Sequence, residues 1–353
     1  MLKFKKIIKN AEFYNPMYDF ELKKQRVEFR EDPLTGQNTI IPEALLDKVK
    51  MIIRRPSKKI LNEIIEKTSK NCPFCPDNIL TQTPKFDKIP GGRLRVGQAI
   101  AFPNIFSFFE NSAVIVLSED HYLELNEFTP EILFDALKLA KKYTRAILNA
   151  DKNIECNLIL GCNYLYSAGS TVVHPHLQLY ISENDFFYNK LLLTESEKYF
   201  KQNNMNYWED LVETEKKLKE RHISTLGTTE WIVSFAPLGV YEVQGIIRNK
   251  SCIYEFTDKN LEDLANGIAN ILSYYNKKRV TSFNFALYSA PHKSIADLDR
   301  YKRFFWSSMR IIVRPNISKI PLNDVWFLPR LVYDNISPVQ PEKLVPEIKE
   351  FFN

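Results

Sequence analysis

The chain contains only five histidines, and two of them fall in one short run, Val172-Val173-His174-Pro175-His176-Leu177-Gln178. In an extended strand, side chains two apart share a face, so His174, His176 and Gln178 are expected to project together. The run follows Ser167-Ala168-Gly169-Ser170-Thr171, small residues that let a ligand approach the backbone closely. Pro175 cannot donate to a ladder, which predicts an edge or distorted strand at this point. A core strand would normally carry apolar side chains here, so the pattern points to chemistry. A neutral imidazole can attack phosphorus and leave again without a separate base.

The second reactive group is Cys72-Pro73-Phe74-Cys75, in a chain with five cysteines. An odd count argues against a disulfide framework and for a metal or redox pair. Two thiolates at this spacing, joined by two imidazoles, make a closed Cys2His2 tetrahedron of the structural kind. His174, and His121 in Ser118-Glu119-Asp120-His121, are the available completions. A redox pair would want a helix N-terminus directly after it to depress the thiol pKa. Pro76-Asp77-Asn78 reads as loop and offers that poorly. Cys156, Cys162 and Cys252 are expected to be small packing residues.

Elements must hold these groups in place. The first thirty residues show no clear period. Residues 43–70 have helical character, and 71–92, rich in Pro, Asn and Thr, read as loop. Strands are expected at 99–102, 113–118 and 157–160, and from Val172 through Tyr180. Thr129-Pro130-Glu131 marks a helix start, with Thr as cap and Pro at the first helical position. Thr257-Asp258 opens a second helix after a strand-like 243–247 and before Phe283–Tyr288. The same strand, capped helix, strand order thus recurs, with the capping threonines 128 positions apart. Two copies of one α+β unit account for the length, with a boundary near residue 190. The sequence has no GxGxxG or P-loop, which argues against a Rossmann-type nucleotide fold.

Composition bounds the function classes. With 48 Lys+Arg against 43 Asp+Glu and 44% hydrophobic residues, the 353-residue chain has the balance of a soluble globular protein. Its lysines are spread out rather than clustered, so a nucleic-acid partner is not expected. Apolar runs such as 113–117 fall far short of the ~18–20 residues of a membrane span. The first residues carry no long apolar segment of the signal-peptide type, which predicts a cytoplasmic location and no membrane partner.

Taken in order, Arg30-x2-Pro33-Leu-Thr-Gly36, Cys72-Pro-Phe-Cys75-Pro-x-Asn78, Phe102-Pro-Asn104, Asp120-His121 and Asn163-x5-Gly169-Ser-Thr-x2-His174-Pro-His176-x-Gln178 resemble the galactose-1-phosphate uridylyltransferase family. That family is the transferase branch of the histidine-triad superfamily, and the resemblance covers roughly residues 30–180. It implies an α+β fold of two histidine-triad-like halves, with antiparallel sheets and packed helices. Residues 1–190 would form the catalytic half and 191–353 a degenerate copy shaping the acceptor pocket. By the same resemblance His176 matches the nucleophile that accepts a nucleoside monophosphate, and Gln178 the residue that hydrogen-bonds its phosphoryl oxygens. Cys72, Cys75, His121 and His174 match a zinc site, one structural ion per chain. Asn104, Asn163, Gly169, Ser170 and Thr171 match nucleotide and phosphate contacts. Arg30 lies in the matched opening motif, and Arg54 and Arg55 fall where basic residues reach phosphate or a partner subunit. The implied partners are a nucleotide sugar, a sugar phosphate or phosphate, and a second copy of the chain in a homodimer.

The departures narrow that expectation. A second metal site of the family pairs a glutamate with three histidines. Glu215 stands near the glutamate's place, but Tyr288, Ser308 and Arg310 replace the histidines, so no second metal is expected. Arg310 and Arg314 are left as candidates for an acceptor phosphate or for packing. Val325-Trp326-Phe327-Leu328 replaces a Gly-Phe-Glu segment that holds the sugar phosphate. The expected reaction is therefore nucleotidyl transfer from a UDP- or ADP-sugar. The alternatives are phosphorolysis of ADP-sugars or dinucleoside polyphosphates, and a zinc-stabilised nucleotide-binding protein without turnover.

Overall fold

A computed structural model describes residues 2–45, 56–150, 155–318 and 323–352. The chain opens with a long hairpin, β1 (Lys5–Asn15) and β2 (Glu21–Glu31), which joins β3 (Asn38–Pro42) and the short β14 (Asn335–Ile336) in a four-stranded sheet. This corrects the unpatterned reading of the first thirty residues. β1 is exposed along nearly its whole length, so no buried side imposes alternation on its sequence.

The larger sheet holds ten strands among the described residues. From the first half come β4 (Leu94–Val96), β5 (Ala99–Pro103), β6 (Asn111–Val116), β7 (Asn157–Tyr164) and β8 (His176–Ser182). From the second come β9 (His222–Leu226), β10 (Thr229–Val233), β11 (Val243–Ile247), β12 (Phe283–Tyr288) and β13 (Ser308–Val313). Their order is β4-β5-β6-β8-β7-β12-β13-β11-β10-β9. Read outward from the central β7–β12 pair, each side repeats the same connectivity, so the duplication expected from the capping threonines is present in the topology. The two halves share this one sheet, joined by antiparallel pairing that sets Gly161 opposite Ala286 and Asn163 opposite Asn284.

The helices are α1 (Lys58–Ser69), α2 (Pro76–Gln82), α3 (Pro130–Ala150), α4 (Phe187–Asn203), α5 (Tyr207–Leu218) and α6 (Asp258–Lys277), with shorter ones later. Thr129 Oγ1 accepts from the Ile132 amide at 3.4 Å and Thr257 Oγ1 from the Asn260 amide at 3.2 Å, as the two caps require. On α3, Leu133, Ala136, Ala140, Tyr143 and Ile147 recur at three- and four-residue steps and are buried. This stripe and its counterpart on α6 cover one face of the sheet. On the other face, α4 and α5 cover the second half, where Tyr188 of α4 packs on Tyr288 at 5.5 Å between ring centres.

Two local expectations change. The strand drawn from Val172 begins at His176, because Pro175 has no N–H to enter the ladder. The segment after Cys75 is not loop but α2, whose first position is filled by Pro76. Residues 58–69 are helical as expected and Glu43–Leu45 form a 3-10 turn, while 46–55 lie outside the described residues.

Candidate functional site

Four donors converge where α1 ends, α2 begins, and the segments after β6 and before β8 pass: Cys72, Cys75, His121 and His174, with ligand atoms all within 4.8 Å of one another. Cys75 Sγ lies 3.5 Å from His121 Nδ1 and 3.7 Å from His174 Nδ1, and Cys72 Sγ lies 3.8 Å from His174 Nδ1. A tetrahedral ion with metal–sulfur bonds of about 2.3 Å and metal–nitrogen bonds of about 2.0–2.1 Å puts sulfur and nitrogen about 3.6 Å apart, so the donor set fits. His174 Nε2 donates to the Ser118 carbonyl at 2.9 Å. His121 Nε2 bonds Thr68 Oγ1 at 2.9 Å, whose own hydrogen goes to the Ile64 carbonyl at 2.7 Å. Each imidazole therefore carries its proton on Nε2 and aims the Nδ1 lone pair at the cluster, the outer support that metal-ligating histidines usually have. Ser118 and Thr68 were not legible as part of the site, because Ser118 acts through its carbonyl and Thr68 meets His121 from 53 positions away.

Burial and the adjacent Cys72 push the Cys75 thiol up to about 12, and burial pulls His174 down to about 4. A thiol raised in this way is the opposite of a poised redox pair, even though a helix does follow Cys75. A bound cation would supply the charge that lets both sulfurs ionise.

From this cluster the chain leads directly to His176. Phe74, between the two cysteines, packs its ring on His176 and on Phe102, each at 5.3 Å. His176 Nδ1 donates to the His174 carbonyl at 2.8 Å. That bond fixes the tautomer with the proton on Nδ1 and leaves the Nε2 lone pair without a partner among the described residues. The ring is buried, which lowers its pKa below the ordinary histidine value and keeps it neutral. Gln178 lies two positions on, half-buried, opposite Val114 and Gly161 in the ladder. His176 and Gln178 thus share a face as the spacing predicts, whereas His174 leaves the strand before Pro175 and turns to the cysteines.

Asn163, one register step beyond the Cys162–Leu177 pair, sits beside His176. The turn at 165–171 follows it. Leu165 holds φ 66°, ψ 167°, a conformation ordinarily reserved for glycine, and Gly169 takes φ 91°. The Ser170 hydroxyl donates to the Val172 carbonyl at 2.6 Å and so builds the turn itself. Gly169 and Thr171 are exposed on it. Asn104 is half-buried, with Oδ1 accepting from the Phe106 amide at 3.1 Å.

Arg30 is placed differently from its expected part in substrate binding. It is 2% exposed, and its donors are occupied by Glu28 (2.7 Å), Glu342 (2.9 Å) and the Phe235 carbonyl (3.0 Å). Arg310 is also buried, between Glu242 and Asp32, and Glu215 pairs with Arg221 at 2.8 Å. The donors of Arg30 are taken, and the Nε of Arg310, which has no partner among the described residues, is buried. Arg54 and Arg55 lie outside the described residues.

A duplicated α+β sheet with a His-Pro-His-x-Gln segment at the start of β8 is the fold of solved uridylyltransferase and ADP-glucose phosphorylase structures. It aligns over 92% of this chain with 99% of an ADP-glucose phosphorylase from Arabidopsis thaliana crystallised with ADP-glucose, at TM-score 0.69 and 19% identity. A galt-like protein from the same plant aligns over 92% of this chain and 98% of its own, at TM-score 0.68 and 19% identity. For a uridylyltransferase the coverage is the same, at TM-score 0.64 and 16% identity. The chain belongs to one family with an uncharacterized protein of Archaeoglobus fulgidus, 32% identical over 329 residues and 93% of each chain. No protein-family profile matches the chain. Among the described residues no helix is long and apolar enough to cross a membrane.

Proposed function

We propose that the protein is a nucleotidyltransferase acting on a nucleotide sugar, with His176 as the nucleophile. One observation carries the reading. The His176 imidazole is buried and neutral, with its proton tied to the His174 carbonyl and Nε2 bare on the face shared with Gln178. In the first step Nε2 forms a bond to the α-phosphorus of a UDP- or ADP-sugar, the phosphorus–oxygen bond to the sugar phosphate breaks, and the sugar phosphate leaves. In the second, an oxygen of an acceptor sugar phosphate or of inorganic phosphate attacks the same phosphorus and the Nε2–phosphorus bond breaks. The Nδ1 proton stays in place throughout. The Gln178 amide donates to a phosphoryl oxygen but cannot act as acid or base, which suits transfer to a phosphate better than hydrolysis. The plant phosphorylase crystallised with ADP-glucose supports keeping inorganic phosphate among the acceptors.

The four-donor cluster is the site of one structural zinc. Cys72, Cys75, His121 and His174 would hold it, and with no open position it supplies rigidity under His176 rather than activating water. Residues 1–190 form the catalytic half and 191–353 the half that shapes the acceptor side. A homodimer is supported by the edge of β1, unpaired among the described residues, and by exposed Ile7, Ile8, Tyr14, Met17, Tyr18 and Phe20 on its hairpin. Incubation with labelled UDP-sugars, ADP-sugars and dinucleotides, with and without phosphate, tests the reading: wild-type protein takes acid-labile, base-stable label on His176, and His176→Asn takes none. Nucleotide binding without label from any donor would leave only the zinc-stabilised binding protein.

A further inference from the structure

The second half of the chain reaches the face of His176 through Asn284. Asn284 of β12 is the register partner of Asn163, and its Nδ2 donates to Asn163 Oδ1 at 2.6 Å and to the Ala168 carbonyl at 2.9 Å, with Cys162 O at 3.3 Å. Behind it, Arg314 Nη1 donates to Asn284 Oδ1. The remaining arms of the guanidinium grip Asp324, Nε at 2.7 Å and Nη2 at 2.6 Å.

This chain of contacts has only one possible polarity. A guanidinium has donors and no acceptor, so the Asn284 atom facing Arg314 has to be oxygen. The Asn284 nitrogen is then turned to Asn163, and the Asn163 atom it meets has to be oxygen as well. What remains of Asn163 is an NH2 group that makes no hydrogen bond among the described residues, on the strand face beside His176. Reversing Asn284 would set oxygen against oxygen and nitrogen against guanidinium, and reversing Asn163 would set one NH2 against the other.

We propose that Arg314 and Asn284 are positioning residues that lock the Asn163 amide as a hydrogen-bond donor to an anionic phosphoryl oxygen held at His176. The proposal rests on the nucleotidyl-transfer reading. An amide free to flip would present its carbonyl to the phosphate part of the time, and two acceptors facing each other repel. The same Asn284 nitrogen ties down the Ala168 carbonyl, so the 165–171 turn and the Asn163 amide are held by one group from the other half. Arg314 touches no substrate, because Asp324 and Asn284 hold it.

The test uses inorganic pyrophosphate as an anionic probe, titrated calorimetrically into the full chain, so it needs neither turnover nor the correct nucleotide. Losing one hydrogen bond to a charged oxygen lowers affinity about tenfold, and that is the loss expected for Asn163→Ala and for Arg314→Met. Because both act through one amide, the double variant is expected within about twofold of Asn163→Ala alone. Arg314→Lys, which still donates to Asn284, keeps most of the affinity. Should Arg314→Met fail to fold by circular dichroism, Asn284→Ala takes its place in the same cycle. Losses that multiply in the double variant, or no loss in Arg314→Met, overturn the proposal, as does wild-type protein that does not bind pyrophosphate. Failure of the underlying reading shows separately, as absence of label on His176 in a protein that binds the anion.

Discussion

The two halves of the large sheet have the same strand order and opposite interiors on their shared polar face. When the ladders are matched about the Gly161–Ala286 pair, β5 falls on β10, His176 on Ser308 and Gln178 on Arg310. In the first half that face keeps a bare imidazole and a half-buried amide over apolar Ile100, Phe102, Val114 and Val116. In the second half α4 and α5 cover it, and Ile100 is matched by Glu230 and Ser112 by Glu242. There Arg310 bonds Glu242 and Asp32, while Glu230 takes Lys216, His222, Thr225 and Arg248. One fold thus serves either as an open site or as a closed ionic core. The choice follows from which side chains face the gap and whether helices cover them, not from the backbone.

Breaking the open half has the largest expected effect. His176→Asn abolishes covalent labelling and turnover while thermal stability and metal content stay near wild type, because asparagine fills the site but offers no nucleophilic lone pair of comparable basicity. Next is the cluster beside it. Elemental analysis should find one zinc per chain, and Cys72→Ala or a strong chelator should lower the unfolding temperature by far more than a surface substitution does. Structural zinc contributes on the order of 10 kcal/mol to small zinc domains, and a larger core reduces the share that folding depends on.

The closed half should respond in stability alone. Arg310→Met leaves Glu242 buried with its cation removed, a loss of about 3–5 kcal/mol, read as a shift of the urea midpoint. A smaller effect is expected from Glu230 in acid. Burial by itself would raise its pKa, but hydrogen bonds from His222, Lys216 and Thr225 and the charge of Arg248 hold it down at about 2. Free in the unfolded chain, the carboxyl titrates near 4.3, so its contribution of about 3 kcal/mol is complete above that pH and is lost as pH falls towards 2. Stability measured from pH 5 down to 2 should therefore fall less steeply in Glu230→Gln. An equally steep fall in the variant would place the acid sensitivity elsewhere, for example at Glu342, which is also held at about 2.

Much of the first half was legible from local chemistry. A CxxC pair, a His-Pro-His-x-Gln run and two capped helices each state their role within a few residues, since ligand geometry, strand alternation and cap hydrogen bonds all act over short spans. That is why the four donors meet, why His176 and Gln178 share a face, and why the repeat shows in the spacing of Thr129 and Thr257. Local reading misplaced the start of β8 by four residues, as it followed the alternation through a proline, and it missed α2 because a seven-residue helix leaves almost no periodic trace.

The tertiary structure alone decided the arginines and the asparagine pair. Arg30 matches a motif by sequence, yet it is committed to Glu342, which lies 312 positions away, and Arg310 to Asp32, 278 positions away. Asn284 meets Asn163 only because β12 pairs with β7 across the midline, a separation of 121 residues. A guanidinium or an amide looks the same in the sequence whether it faces a phosphate, a carboxylate or another amide. What it faces is set by strand register between distant segments, and register emerges only when the whole sheet has closed.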